Sequence, residues 1–253
     1  MCIVRTLSDY FDVIYVITLK RAGERHRFVK KELNGLDFQF FFGVDGNKLD
    51  VSLLEEKGLY NSEIARKRKY GHSEMTLGEI GCALSHLNVY KDIVSKNYER
   101  ALILEDDVFI KTEMSGKSLF NILNELPKDW DLCYFGYNEI GKKIGFSVHL
   151  RQYFLYPLLF IMGIKKFNPF KYYRRFSRNY SENLNISGCN YGTHAYAVTN
   201  KCAQKILDNR KVVIEASDYL LSTFCQSGIL KAFNLKRKIF YQQREKLKSM
   251  INH

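Results

Sequence analysis

ALILEDDVFI, residues Ala101–Ile110, runs four apolar side chains into Glu105, Asp106 and Asp107 before apolar residues resume at Val108. A continuous apolar run of this length is what a strand covered on both faces shows. Three adjacent carboxylates repel one another unless water, a metal or a cationic partner offsets them. Ligands of open parallel sheets gather at the carboxyl ends of strands, so these acids stand where chemistry is expected. If the extended geometry persists, Glu105 and Asp107 point one way and Asp106 the other. Two carboxylates on one side suit a hard divalent cation, Mg²⁺ or Mn²⁺, which in turn would hold a diphosphate. Taken alone, the same triplet also describes a solvated turn.

The surrounding chain repeats the strand-then-helix rhythm. DVIYVITLK (Asp12–Lys20) reads as a buried strand, and RAGERHRFVKKELNGL as a helix with Phe28, Val29 and Leu33 on one face and Gly35 past its end. FQFFFGVDG (Phe38–Gly46) is a second strand closing in an Asp45-Gly46 turn. TLGEIGCALSHLNVYKDIVSKN (Thr76–Asn97) is a long helix, with Thr76 and Glu79 at capping-box spacing. Further on come KSLFNILNEL as a helix, WDLCYFGY (Trp130–Tyr137) as a strand, and YGTHAYAVTNKCAQKILDN as a strand feeding a helix at Asn200. The alternation predicts an α/β protein of one Rossmann-type domain over residues 1–253, with a mainly parallel central sheet.

Lys and Arg total 39 against 27 Asp and Glu, and this +12 balance points to a polyanionic partner: nucleic acid, an anionic membrane surface or a phosphorylated substrate. The six cysteines (Cys2, Cys82, Cys133, Cys189, Cys202, Cys225) show no CxxC spacing, and MCIVRTLSDYFD has no apolar signal-peptide core. Free thiols and a cytoplasmic location are therefore expected.

Residues 140–181 break the rhythm. They hold nine Lys or Arg, from Lys142 to Arg178, and no Asp or Glu. Inside lies YFLYPLLFIMGI (Tyr153–Ile164), interrupted by Pro157 and followed by Lys165, Lys166, Lys171, Arg174, Arg175 and Arg178. That run is shorter than the roughly 20 residues a spanning helix needs. Two readings stand: a buried hairpin or helix with a basic exit, or an in-plane anchor with basic residues against anionic headgroups.

Taken together, the ordered motifs resemble glycosyltransferase family 25, the bacterial lipooligosaccharide-type sugar transferases. YVITLKRAGERHRFVKKEL, FFFGVDG, TLGEIGCALSHLNVYKDIV, ALILEDDV, YGTHAYAVTNKCAQKIL, EASDYLL and FYQQREKLKS follow the family order from about residue 12 to 249; only the basic middle has no counterpart. The resemblance implies a GT-A-like fold, a nucleotide-sugar donor and a divalent metal. It places Glu105, Asp106 and Asp107 where that fold carries its Asp-x-Asp motif, with Asp107 as first metal ligand. Glu105 would be a second ligand, or would contact the ribose or a metal-bound water, and Asp106 would belong to the nucleotide-sugar pocket. Thr18, Leu19 and Arg21 would line that pocket, and Arg25 would neutralise phosphate or sit on a solvated helix face. Asp45 would bond uracil or ribose, or be an Asx-turn residue. Gly78 and Gly81 would let the helix start approach a ligand, with Ser85 and His86 a turn further and His194 near the sugar; a lone histidine in an apolar context such as His86 is more often a satisfied core residue.

Asp218, with Glu215 as fallback, would be the base for an inverting displacement from UDP-galactose onto a terminal sugar of a lipid-linked oligosaccharide, or else an acid at a helix N-terminus, a place Ser217 and Asp218 fill equally well. The enzyme would then sit on the inner face of the bacterial inner membrane. The rival reading is a basic nucleic-acid-binding α/β protein without catalysis, using Tyr153, Tyr172 and Tyr173 to stack on bases. No nucleic-acid motif supports it, and the acidic triplet would repel a phosphate backbone.

Overall fold

The computed structural model describes residues 2–68, 73–139, 150–164 and 174–243. The expectations for Lys142, Lys165, Lys166, Lys171, Tyr172 and Tyr173, and for the chain beyond Gln243, lie outside these residues.

An eight-stranded sheet forms the centre, in the order β2-β1-β3-β8-β5-β9-β7-β6. Its strands are β1 (Val13–Thr18), β2 (Gln39–Phe42), β3 (Arg100–Glu105), β5 (Leu132–Glu139), β6 (Arg178–Asn179), β7 (Leu184–Ile186), β8 (Asn190–Thr199) and β9 (Ala232–Leu235). A two-stranded ribbon, β4 (Val108–Ile110) with β10 (Phe240–Gln242), lies beside it. The strands alternate between two cores. Tyr15, Ala101, Ile103, Tyr134 and Tyr196 pack one way, under the helices α5 (Leu77–Ser95), α8 (Asn200–Asn209) and α9 (Ser217–Ser227). Ile14, Val16, Leu102, Leu104 and Ala197 pack the other way, against α1 (Ile3–Tyr10), α2 (Gly23–Glu32) and α6 (Gly116–Asn124). Burial on both faces explains the unbroken apolar runs of β1 and β3, each large side chain contributing roughly 1.5–3 kcal/mol.

The sheet is mixed rather than mainly parallel. β1 pairs in parallel with β2 and β3, and β5 with β9, but β8 lies antiparallel between β3 and β5. The pairs β7–β9 and β6–β7 are antiparallel too. A strand buried on both faces reads the same in either direction, so the residues of β8 carried no sign of its reversal. The reversal has a functional consequence. The carboxyl ends of β1, β3 and β5 and the amino end of β8 share one edge of the sheet.

Helix α5 starts as its sequence predicts. Thr76 Oγ1 accepts from Glu79 N, and Glu79 Oε2 accepts from Thr76 N at 2.7 Å, closing the capping box. Among the described residues are also the shorter helices α3 (Val51–Glu56), α4 (Ser62–Arg68) and α7 (Tyr156–Ile161), the last preceded by a π-helical turn over Arg151–Leu155, and a 3-10 turn over Gly46–Lys48. All six cysteines are free, and four of them are buried.

Candidate functional site

Strand β3 stops at Glu105, and Asp106 and Asp107 form the turn into β4. The three acids separate there. Asp106 turns under β1, 6 % exposed, where Thr18 Oγ1 donates to its Oδ2 at 2.6 Å and Arg25 pairs with its Oδ1. Arg25 Nη1 also lies 3.7 Å from Asp107. Glu105 turns toward β8: Thr193 Oγ1 donates to its Oε1 at 2.9 Å, and Gln242 Nε2 to its Oε2 at 3.2 Å. Gln243 N donates to the Asp107 carbonyl at 2.8 Å, so the C-terminal strand braces the turn from below. Burial, with the Asp107 charge adding to it, pushes the Glu105 carboxyl up to about 8.

Asp218 arrives from the first turn of α9. Its Oδ2 accepts from Gly192 N at 3.1 Å and its Oδ1 from Tyr219 N at 2.8 Å, so its carboxylate is held in one orientation at the amino end of β8. Gly192 adopts φ +80°, a backbone conformation that side-chain-bearing residues rarely take. Glu215 is tied elsewhere, 2.8 Å from Arg68 and 2.9 Å from Arg210, and this double pairing suits it poorly to removing a proton.

The remaining candidates divide. Thr18, Leu19, Arg21 and Asp45 gather at the β1–β2 end, where Arg21 Nε lies 2.6 Å from Asp45 Oδ2. Asp45 also accepts from Asn47 N at 3.2 Å, the Asx-turn arrangement. His26 Nε2, 3.1 Å from both Thr18 Oγ1 and the Leu19 carbonyl, steadies that loop. Gly81 packs on the turn after β2, where a Cβ on it would lie 2.8 Å from the Val44 carbonyl, and Gly46 fits against the same helix start, where its own Cβ would lie 2.9 Å from Gly78 N. Ser85 completes this joint, donating to Gly81 O and accepting from Val44 N at 2.8 Å. His86 lies beneath the site at 1 % exposure, with Nδ1 2.7 Å from Tyr196 Oη and Nε2 3.4 Å from Thr193 Oγ1. Burial pushes its imidazole down to about 4, so it is neutral and supports Thr193 from behind. His194 is likewise buried, against Gly136, where a Cβ would lie 2.6 Å from its Nε2.

Thr193 and Gln242 were not singled out from the sequence. Both are neutral residues inside motifs noticed for their order, and their polar atoms gain meaning only opposite Glu105.

The family model described as glycosyltransferase family 25 (LPS biosynthesis protein) matches residues 11–221, which include every acid of this edge. The chain belongs to glycosyltransferase family 25. A family 25 member from Aedes aegypti is 26 % identical over 213 residues, covering 82 % of this chain and 30 % of its own length. One from Drosophila melanogaster is 36 % identical over 136 residues, 52 % of this chain and 22 % of its own. Mouse procollagen galactosyltransferase 2 is 32 % identical over 140 residues, 53 % of this chain and 22 % of its own. The chain thus spans less than a third of the length of these curated relatives. The mixed α/β sheet is consistent with the GT-A-like architecture of a family 25 chain.

Two hard carboxylates, Glu105 and Asp107, fit a divalent cation by donor chemistry, and a cation would offset the burial and the Asp107 charge that together raise Glu105. Among the described residues no group of three His, Cys, Asp or Glu gathers around a metal position. Such a cation usually keeps waters and takes phosphate oxygens beside one or two carboxylates, which suits this sparse donor set.

Proposed function

We propose that the chain transfers galactose from UDP-galactose, with inversion, to a terminal sugar of a lipooligosaccharide-type acceptor. The observation that carries this reading is the meeting of Glu105, Asp107 and Asp218 at one sheet edge, from segments more than a hundred residues apart, in a family 25 chain. The names of the mouse and human relatives, procollagen galactosyltransferases, support galactose as the sugar. Thr18, Arg21 and Asp45 would bind the nucleoside end. Glu105 and Asp107 would hold Mn²⁺ or Mg²⁺, which supplies charge compensation for the leaving diphosphate. Thr193 and Gln242 fix the oxygens of Glu105, and Arg25 keeps Asp106 turned away from them. Asp218 takes the proton from the acceptor hydroxyl as that oxygen attacks the anomeric carbon.

The second half of the reading is a membrane surface. Residues 150–164 expose Phe154 (71 %), Leu158 (54 %), Ile161 (80 %), Met162 and Ile164. This favours an outward-facing segment over the buried hairpin. The insertion leaves from the end of β5, the edge that carries the site, and holds only basic charges. No described helix is long and apolar enough to cross a membrane. In-plane docking fits these facts. Each basic residue near an anionic surface contributes about 1 kcal/mol at most, and each inserted large side chain roughly 1.5–3 kcal/mol.

A panel of UDP- and other nucleotide sugars, assayed with Mn²⁺ for hydrolysis and transfer, tests the chemistry; turnover of none of them defeats it. Asp218→Asn is expected to lower turnover by roughly 10²–10⁴-fold while donor binding holds. A fall of less than about tenfold removes Asp218 as the base. Co-sedimentation with anionic and neutral vesicles tests the surface, and binding to neither returns the segment to the protein.

A further inference from the structure

Beside Asp218, a cavity of about 80 Å³ opens between α4, the first turn of α5 and the first turn of α9. Arg68, Met75, Glu79, Glu215 and Tyr219 line it, with Ala65 at its back. We infer that this cavity is the acceptor subsite, taking one edge of a neutral pyranose ring; the inference rests on the transferase reading above.

Position is the first argument. Tyr219 directly follows Asp218. Glu79 stands one residue short of a helical turn before Cys82, whose Sγ lies 3.8 Å from Ser217 Oγ. Ser217 Oγ lies 3.4 Å from Thr193 Oγ1, the donor to Glu105. The cavity is therefore one short chain of contacts from the carboxylates.

The lining selects the ligand class. Two carboxylates, Glu79 and Glu215, disfavour an anion there, and Arg68 disfavours a cation. A sugar meets both requirements of the walls: its C–H face packs on Tyr219 and the apolar side chains, while its hydroxyls bond to Arg68 and Glu79. Arg68 spends Nη1 on Glu215 and is still 40 % exposed, so its guanidinium edge can serve a hydroxyl. The volume is far below the several hundred Å³ of an enclosing ligand pocket, so it admits a ring edge and not an oligosaccharide. Tyr191 and Tyr219, ring centroids 5.3 Å apart and hydroxyls 3.3 Å apart, form the exposed rim over which the rest of the acceptor would leave. Glu215, held by Arg68 and Arg210, is the fixed floor of the subsite and not its base.

Saturation-transfer NMR on the full chain tests this, using octyl β-glycosides of glucose, galactose and N-acetylglucosamine, with and without UDP and Mn²⁺. Saturation transfer to at least one glycoside is expected in wild type. Binding should weaken at least about tenfold in Tyr219→Ala and in Arg68→Ala, and recover in Tyr219→Phe, which keeps the ring. UDP affinity, titrated separately, reports on folding and on the donor half. Glycoside binding that is absent from wild type, or unaltered in both alanine variants, overturns the subsite. Loss of UDP binding in wild type counts against the donor reading and leaves the glycoside titration to be scored on its own.

Discussion

The end of β3 and the helix at residues 156–161 break the inside–outside rule in opposite directions. At β3 three carboxylates sit against a core, with Asp106 6 % exposed; at α7 Phe154, Leu158 and Ile161 stand in solvent with no acidic residue nearby in sequence. The first region carries its own compensation only in part. Asp106 is answered by Arg25 and Thr18, whereas Glu105 is left with neutral donors and a raised pKa. The second carries none, because the flanking charges are all basic. On the proposed function, a cation would answer the first exception and a lipid surface the second.

If the acids differ as their contacts do, breaking them should give different phenotypes. Asp107→Asn is expected to cost the most activity, at least about 10³-fold in transfer with an unchanged circular dichroism spectrum, because an amide brings no charge to a cation. Near-wild-type transfer by a folded variant would erase the distinction between Asp107 and its neighbour. Arg25→Ala should act on stability. It leaves Asp106 buried without its cationic partner, a loss of roughly 3–5 kcal/mol measurable by urea unfolding.

Glu105→Gln sharpens the contrast further, since it should stabilise the metal-free protein while abolishing transfer. The folded-state carboxyl titrates near 8 rather than 4.5, so ionisation penalises the wild-type fold progressively as pH rises through that window. The Tm advantage of the variant should therefore be small at pH 5, grow to a few degrees by about pH 8 and level off above it. Mn²⁺ with UDP should reverse the order. A Tm difference independent of pH would show that Glu105 is already compensated. The smallest effect belongs to the other region: Leu158→Glu should shift Tm by less than about 1 °C, as an exposed substitution does, while abolishing vesicle binding. Unfolding by this variant would make α7 a core element and remove the comparison.

The residues of β1, β3 and α5 announced their elements because their signals are local. Alternation between two cores, a capping box within four residues and a glycine past a helix end need only near neighbours. The same holds for the place of the acids: a strand that ends in ALILEDD puts them at the sheet edge whatever the rest of the chain does. Strand direction is not local. The residues of β8 satisfy either orientation, and its antiparallel seat between β3 and β5 follows from how the whole sheet closes. Nor was it legible which acid faces which partner. The strand ends at Glu105, so alternation no longer governs Asp107, and Gln242 reaches Glu105 from 137 residues away. His86 and Gly81 show the same limit. A lone histidine in an apolar context reads as a core residue or as a ligand, and only the contact with Tyr196 shows His86 buried in support; the Val44 backbone against Gly81 is likewise visible only in the fold. Residue type and spacing set which groups are available; burial and long-range contact set which of them face a ligand.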